Sequence, residues 1–294
     1  MSLPRQPLAE VFGFPISNST EEAGRYQRLR LCPYQNRVPN CTKDKAQDPL
    51  GVCSVFDGEE IAITCPVRFR QDWLIAEDAA NFFFAPDTTW TSLTEVKLLD
   101  AEGGSAGNID VVLVAYDAQG RVTDFGSLEV QAVYISGNVR KPFEAFIGSA
   151  EDYREQGYRA KDYPRVDYLS SSRKRLAPQL IYKGGILHQW GKKSAVALNS
   201  AFFKTLPPLP EVSLEQAEIA WFLYDLMEDK SSGRYRLQRN RVVYTRFDDA
   251  LLSITRTRAG NIEQFVDKLQ DKLEDKLSLS APVTPLLGEL EDLM

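Results

Sequence analysis

The chain has 294 residues, of which 43% are hydrophobic and 26% are charged, and its formal net charge at pH 7 is -6. This apolar fraction is ordinary for a globular protein that buries a core, and the length suits one large domain or two small ones. The single histidine, His188, excludes the zinc and iron sites that need several histidines. Any enzymatic chemistry must therefore be carried by carboxylates, cysteines or the backbone.

Targeting and membrane segments are not apparent in the sequence. No apolar stretch approaches the roughly 18 to 20 residues that a membrane span needs. The first residues, from Met1 to Pro7, lack the basic and then apolar order of a signal peptide. We therefore expect a soluble, cytoplasmic protein with no membrane partner.

Four cysteines lie in the first quarter of the chain, at Cys32, Cys41, Cys53 and Cys65. Thiols of a cytoplasmic protein normally stay reduced, which favours a tetrahedral metal site over disulfides. Iron and zinc both accept four thiolates, so the sequence does not choose between them. The spacing Cys-x8-Cys-x11-Cys-x11-Cys lacks the close cysteine pairs of zinc ribbons. Two disulfides, or unrelated buried thiols, therefore stay open as alternatives.

The elements predicted between residues 21 and 135 indicate an α/β core. We expect a helix over 21–31, a polar loop over 33–49, a strand over 60–65 and helical spacing over 68–84. Three strands follow over 93–99, 109–116 and 122–135. Their short connections indicate an antiparallel meander, and the middle strand is apolar on both faces over Val111 to Val114. This strand should therefore be covered on both sides.

The last third of the chain predicts helices. Ser213 has a capping-box partner at Gln216, and an apolar stripe continues to Met227, which predicts a helix over 213–229. A second amphipathic helix is predicted over 262–277. Both are expected to form core or dimer surface.

A basic segment of about 60 residues lies within this acidic chain. Residues 136–195 contain twelve Lys or Arg against six Asp or Glu, a net charge of +6, interleaved with tyrosines and Trp190. Such a segment could bind phosphates through counterion release, although a solvated charged face is the ordinary alternative.

Carboxylates on two neighbouring strands predict a cation site. Asp110 stands at the start of the buried middle strand, and Glu129 and Gln131 share one face of the next strand because side chains alternate with a period of two. Converging carboxylates are what Mg²⁺ requires, and Glu95 on the first strand could supply a third acid. Ordinary carboxylates at strand ends are the alternative.

The segments Asn108-Ile109-Asp110 and Leu128-Glu129-Val130-Gln131 resemble the PD-(D/E)XK nuclease core, with Gln131 where a lysine usually stands. Combined with Gly51-Val52-Cys53 and the segment from Ile63 to Phe69, they resemble the NotI family of type II restriction endonucleases over about residues 10 to 140. The resemblance implies a mixed central sheet flanked by helices, an N-terminal four-cysteine subdomain, and a homodimer that cuts double-stranded DNA at GC-rich palindromes.

The same resemblance implies roles for single residues. Asp110 and Glu129 would bind the catalytic Mg²⁺, Glu95 would be an upstream acid, and Gln131 would orient the attacking water. The four cysteines would hold iron or zinc as a structural metal. DNA contacts are then expected from Arg173, Lys174, Arg175, Lys192 and Lys193. His188 is left without a role.

The expected division places the four-cysteine metal site in residues 1–70, and the nuclease core with the basic segment and C-terminal helices in residues 71–294. A non-catalytic, metal-stabilised DNA-binding protein is the main rival function. An iron-sulfur or rubredoxin-like electron carrier is disfavoured because the cysteine spacing is wide and the chain is large.

Overall fold

A computed structural model describes residues 6–35, 39–45, 47–158, 163–256 and 259–278 of the chain. The described strands are β1 (Leu8–Val11), β2 (Phe14–Pro15), β3 (Asp44–Lys45), β4 (Asp48–Pro49), β5 (Val52–Asp57), β6 (Glu60–Ile63), β7 (Trp90–Leu99), β8 (Ser105–Tyr116), β9 (Val122–Gln131), β10 (Tyr134–Ser136), β11 (Arg165–Asp167), β12 (Ser194–Asn199), β13 (Ile219–Asp229) and β14 (Arg234–Thr245). The described α-helices are α1 (Glu21–Leu29), α2 (Leu74–Phe83), α3 (Arg140–Gly148), α4 (Ala150–Gln156), α5 (Tyr168–Ser171), α6 (Ala177–Gln179), α7 (Gly185–Gln189), α8 (Ser200–Lys204), α9 (Phe247–Thr255) and α10 (Ile262–Ser278).

A six-stranded mixed sheet forms the centre of the fold, in the order β14-β13-β12-β9-β8-β7. The strands β7, β8 and β9 form the predicted antiparallel meander. The fully buried β12 is parallel to both of its neighbours, β9 and β13, so the helical segments between β9 and β12 cross over one face of the sheet. The predicted mixed α/β class, with helices flanking a central sheet, is confirmed.

A composite helix covers the face of the sheet that carries the acidic residues. It runs from α5 through a π-helical segment, Ser172–Leu176, then α6, a second π-helical segment, Leu180–Gly184, and α7. Leu187 of this helix packs with Val112 and Val114 of β8. The opposite face of the sheet is covered by α2.

The middle strand β8 is buried on both faces, as its sequence predicts. Val111 and Leu113 pack in the same cluster as Ile75 and Ala79 of α2. Val112 and Val114 lie in the cluster on the composite-helix side. The alternation of the strand therefore distributes its apolar residues between two cores.

A glycine allows α2 to approach the sheet closely. A Cβ atom at Gly126 of β9 would lie 2.5 Å from the Phe83 ring. This distance is too short for any side chain, so the glycine is needed here to seat the end of α2 against β9.

The N-terminal residues form a second, four-stranded sheet in the order β2-β1-β5-β6. A buried ion pair joins it to the segment that follows β6, because Arg68 Nε lies 3.0 Å from Glu10 Oε2 and both side chains are fully buried. Arg68 Nη2 also donates to the Tyr235 carbonyl in β14, at 2.8 Å. Arg68 therefore links the small sheet, through Glu10, to the edge strand β14 of the central sheet.

The predicted helix over 213–229 is wrong. Residues Leu214–Gln216 form one 3-10 turn, and Ile219–Asp229 is the strand β13, paired to β12 and β14. Trp221 faces the core on the composite-helix side, whereas Phe222 faces the core on the α2 side. Because the strand is apolar on both faces, its apolar residues also matched a helical period.

The helical spacing over 68–84 is interrupted. A 3-10 segment, Pro66–Trp73, precedes α2, and Asp72 and Trp73 have positive φ angles of 53° and 55°. The strand predicted over 122–135 likewise divides into β9 and β10. The helices predicted over 21–31 and 262–277 are confirmed as α1 and α10.

The chain divides into two units, Met1–Thr255 and Arg256–Met294, and α10 belongs to the second. Apolar residues recur along α10 at three- and four-residue spacings, from Ile262 through Leu269 and Leu273 to Leu277. None of the helices in the described residues has the length and hydropathy needed to cross a membrane.

Candidate active site

Neighbouring strands bring Asp110 and Glu129 together. The antiparallel register ends with Val111 of β8 opposite Leu128 of β9. Asp110 precedes Val111 and Glu129 follows Leu128, so the two acids lie at the next opposed position. The backbone N–H of Val130 donates to Asp110 Oδ2 at 2.8 Å, which holds that carboxylate over β9. The two carboxylates thus converge at one place on the sheet.

Glu129 is a buried carboxylate, with 8% of its surface exposed. Burial, and next the nearby Asp110 carboxylate, raise the pKa of Glu129 to about 7, against the lowering effect of Lys183. Lys183 Nζ lies 2.6 Å from Glu129 Oε2. The second oxygen, Glu129 Oε1, is buried and has no hydrogen-bond partner.

Gln131 lies two residues further along β9, on the same face as Glu129, and is fully buried. Its Nε2 donates to Gln179 Oε1 on the composite helix. Its own Oε1 is a second buried oxygen without a partner. Two buried oxygen acceptors without donors therefore lie on one face of β9, on alternate residues.

Glu95 occupies a strained position beside Asp110. It lies on β7, at the edge of the sheet, between the residue pairs Thr94 with Val111 and Val96 with Ile109, and thus across from Asp110. Its φ angle is 55°, a backbone conformation that residues other than glycine rarely adopt. The Glu95 side chain is exposed and lines a cavity of about 560 Å³. The structure therefore places its backbone near the acid pair and its side chain in this cavity.

Lys183 is the residue of the site that the sequence interpretation missed. In the sequence, Lys183 was only one of the basic residues of segment 136–195. It lies 54 residues from Glu129 along the chain, yet its side chain contacts that carboxylate directly. A signal existed, because Leu176, Leu180 and Leu187 form a buried helical stripe and Lys183 falls in line with it. A lysine in a buried stripe requires a partner.

The first two cysteines flank a short contact between chain segments. Leu31 and Asn40 form an isolated antiparallel bridge, with Cys32 and Cys41 next to it. The Cys41 N–H donates to the Arg30 carbonyl at 2.8 Å. Each of these two cysteines therefore lies next to the bridge, one on each of the two segments that it joins. Residues 36–38 of that loop lie outside the described residues.

Cys53 and Cys65 meet through their backbones. Cys53 lies in β5, Cys65 follows β6, and the Cys65 N–H donates to the Cys53 carbonyl at 3.2 Å. All four cysteines are free of disulfides. The disulfide alternative is therefore not realised in the structure.

The four thiols influence one another electrostatically. Burial, with a smaller contribution from Cys65 and Cys41, raises the pKa of Cys32 to about 11. Burial also raises the pKa of Cys53, and Cys65 and Cys32 add to the effect. Within the described residues, however, no three His, Cys, Asp or Glu side chains are arranged as a metal-binding group. The thiols are neighbours without the closed geometry of a metal centre.

The residues expected to contact DNA lie in two places. Arg173 and Lys174 are exposed on the first π-helical segment, and Arg175 stacks over the Tyr134 ring at 5.4 Å. Lys192 and Lys193 precede β12, where Lys192 Nζ lies 2.6 Å from Asp124 Oδ1 and Lys193 Nζ donates to the Phe82 carbonyl at 3.1 Å. The first group is open to a ligand, whereas the second is engaged within the fold.

His188 packs within the fold, as expected of a residue without a catalytic role. Its ring stacks on Phe247 with centroids 4.7 Å apart, and its Nδ1 lies 3.4 Å from Glu218 Oε1. His188 lies near the C-terminal end of α7, and its contacts to Phe247 and Glu218 do not include either acid.

The chain matches the sequence model of the family described as "Restriction endonuclease NotI" over residues 10–237. That range contains the four cysteines, the acid pair, Gln131 and Lys183, and ends within β14. No curated protein sequence matches the chain.

Proposed function

Because the chain belongs to the NotI family of restriction endonucleases, we propose that it is a type II enzyme that hydrolyses phosphodiester bonds of double-stranded DNA in a Mg²⁺-dependent reaction, at a GC-rich palindrome. The observation that carries this proposal is the convergence of Asp110 and Glu129 on paired strands, with Gln131 on the same face. This arrangement suits the PD-(D/E)XK nuclease core.

The donor set fits a hard divalent cation. Asp110 and Glu129 supply carboxylate oxygens, the ligands that Mg²⁺ prefers, and Glu129 Oε1 is buried without a partner. When bound, Mg²⁺ would acidify a water molecule and stabilise the negative charge that develops on the phosphate. Asp110 would be held for this role by the Val130 N–H.

Gln131 would position the attacking water. An amide is neutral and cannot supply the charge of a lysine, but its Oε1 is free to accept a hydrogen bond. Because Gln131 Nε2 donates to Gln179, the amide is oriented with that oxygen available. Glu95 is retained as a proposed upstream acid, because its backbone lies across from Asp110.

For the DNA surface we retain the basic residues of the composite helix, Arg173, Lys174 and Arg175, which precede Lys183 on the same helix. Exposed cations there would neutralise phosphates and release counterions. Lys192 and Lys193 are retained as proposed contacts that would have to exchange their internal partners for DNA. A palindromic target would be read by a two-fold homodimer.

The four cysteines are proposed to hold a structural iron or zinc ion. Support comes from their free state, from the Leu31–Asn40 bridge that Cys32 and Cys41 flank, and from the backbone hydrogen bond between Cys65 and Cys53. A cation would stabilise the thiolates that burial and mutual repulsion disfavour. Metal analysis of the purified protein tests this: about one equivalent of iron or zinc is expected, and its loss in Cys53→Ser.

Cleavage of unmethylated plasmids that differ in GC content tests the nuclease. Discrete Mg²⁺-dependent fragments are expected from the wild-type protein, and Glu129→Ala should lower the cleavage rate by at least about 100-fold because it removes a ligand of the cation. Glu60→Gln is the control, since Glu60 forms an exposed ion pair with Lys204 away from the acid pair. DNA that is bound but never cut would favour the non-catalytic DNA-binding protein.

A further inference from the structure

Lys183 forms the most buried contact of the acid pair. Its side chain is 6% exposed, and its Nζ donates to Glu129 Oε2 at 2.6 Å and to the Asn108 carbonyl at 2.8 Å. Both partners belong to the strands that carry the acids, β9 and β8. The lysine thus connects the two acidic strands from the helix that covers them.

The local backbone supports a functional position. Lys183 lies in the second π-helical segment of the composite helix, Leu180–Gly184. Such segments are uncommon and occur frequently at functional sites. One helical turn earlier, Gln179 accepts a hydrogen bond from Gln131. The same helix therefore holds the side chains of both Glu129 and Gln131.

If only the strands contributed side chains, the site would contain no positively charged side chain. Gln131 is neutral, so the two acids and the incoming DNA phosphate would bring negative charges together without a protein cation between them. Lys183 Nζ neutralises one carboxylate charge at the buried oxygen Oε2 of Glu129, and it leaves Oε1 of the same residue without a partner.

We propose that Lys183 is the positioning residue of this site, which supplies from the helix the positive charge that Gln131 cannot supply from the strand. It acts through Glu129, because its ammonium group holds Oε2 and directs Oε1 toward the cation. This inference rests on the proposed nuclease function and names a residue for it that neither the strand motif nor the cysteine pattern contains.

The test compares variants of the full chain that separate charge from hydrogen bonding. Lys183→Met removes both, Lys183→Gln keeps a donor without charge, and Lys183→Arg keeps the charge. The double variant Gln131→Lys/Lys183→Gln returns the charge to the strand. Lys204→Met is the matched control, because Lys204 Nζ makes an exposed ion pair with Glu60 at 2.7 Å.

Two quantities are measured in mildly alkaline buffer: Mg²⁺ binding by calorimetry without DNA, and DNA cleavage at saturating Mg²⁺. Loss of the positive charge leaves a more negative site, so Lys183→Met and Lys183→Gln should bind Mg²⁺ about tenfold more tightly. Their cleavage rate should nevertheless fall roughly 100-fold. Lys183→Arg should stay close to wild type, and the double variant should regain part of the lost rate.

Opposite changes in Mg²⁺ affinity and turnover are not expected of a lysine that only stabilises the fold. Lys183→Gln with wild-type Mg²⁺ affinity and cleavage rate would overturn the proposal. Failure of both neutral variants to fold would assign Lys183 a structural role and overturn it too. A wild-type protein that binds Mg²⁺ but cuts no DNA would refute the nuclease, while the Mg²⁺ affinities of the variants would still decide on Lys183.

Discussion

Substitution of Arg68 by methionine should be among the most destabilising single changes in this chain. Arg68 Nε lies 3.1 and 3.0 Å from the two oxygens of Glu10, and Arg68 Nη1 donates to Gln71 Oε1 at 2.8 Å. Methionine would fill much of the same volume but provide no donor. Among the described residues, the Ser54 hydroxyl at 2.8 Å would then be the one remaining donor to the fully buried carboxylate of Glu10.

The expected cost follows from this uncompensated charge. Removing one partner of a buried ion pair typically lowers the free energy of unfolding by about 3–5 kcal/mol, because the remaining charge is left unpaired in a poorly solvated place. Replacing both partners by apolar residues leaves no charge behind. Glu10→Met/Arg68→Met should therefore be less destabilised than Arg68→Met alone, with a residual cost of about 1–3 kcal/mol from the lost hydrogen bonds.

Urea unfolding followed by circular dichroism measures the free energies, and the four proteins of the double-mutant cycle give the coupling between the two residues. Arg241→Met is the control. Arg241 pairs with Glu211 at 2.7 Å, but both side chains are more than half exposed, so its loss should cost less than about 1 kcal/mol. A similarly small cost for Arg68→Met, or single-variant costs that simply add in the double variant, would refute the reasoning.

Three further substitutions probe packing and buried polar contacts by the same urea assay. Gly126→Ala should lower the free energy of unfolding by about 1–3 kcal/mol, because its Cβ would lie 2.5 Å from the Phe83 ring, and an unchanged value would show that α2 can shift. Gly185→Ala, helical and with nothing within 4 Å of its Cβ, should instead stabilise by about 0.5–1 kcal/mol; a loss would contradict the open space around it. Tyr224→Phe removes the hydroxyl that donates to the buried Asp78 Oδ2 at 2.5 Å and should cost about 1–3 kcal/mol, whereas a neutral effect would mean that Asp78 finds another donor.

Local patterns predicted that Asp110 and Glu129 lie close together in the sheet. Glu129 and Gln131 share a face because strand side chains alternate, and the short turn between β8 and β9 leaves Asp110 few ways to pair except opposite Glu129. The same reasoning failed over 213–229. There the apolar residues serve two cores from one strand, and a residue pattern that is apolar on both faces fits more than one period.

The metal-binding role of the cysteines and the expected DNA contacts remain predictions, because they depend on distances between side chains. Their residue types and clustering are visible in the sequence, but the distances between side chains are not. Arg173 and Lys192 illustrate the difference: both are basic residues of segment 136–195, yet the first is exposed and the second forms an ion pair with Asp124. Only the packing of the composite helix and β12 distinguishes them.

By itself, the sequence determined that Asp110 and Glu129 converge, that Gln131 shares a face with Glu129, that the cysteines cluster, and that the central strands form an antiparallel meander, because each depends on neighbours within a few residues or one turn. The tertiary structure alone decided that Lys183 forms an ion pair with Glu129. Its contact with Glu129 closes a loop of 54 residues that includes several helices, and a contact at that separation depends on how the composite helix docks on the sheet.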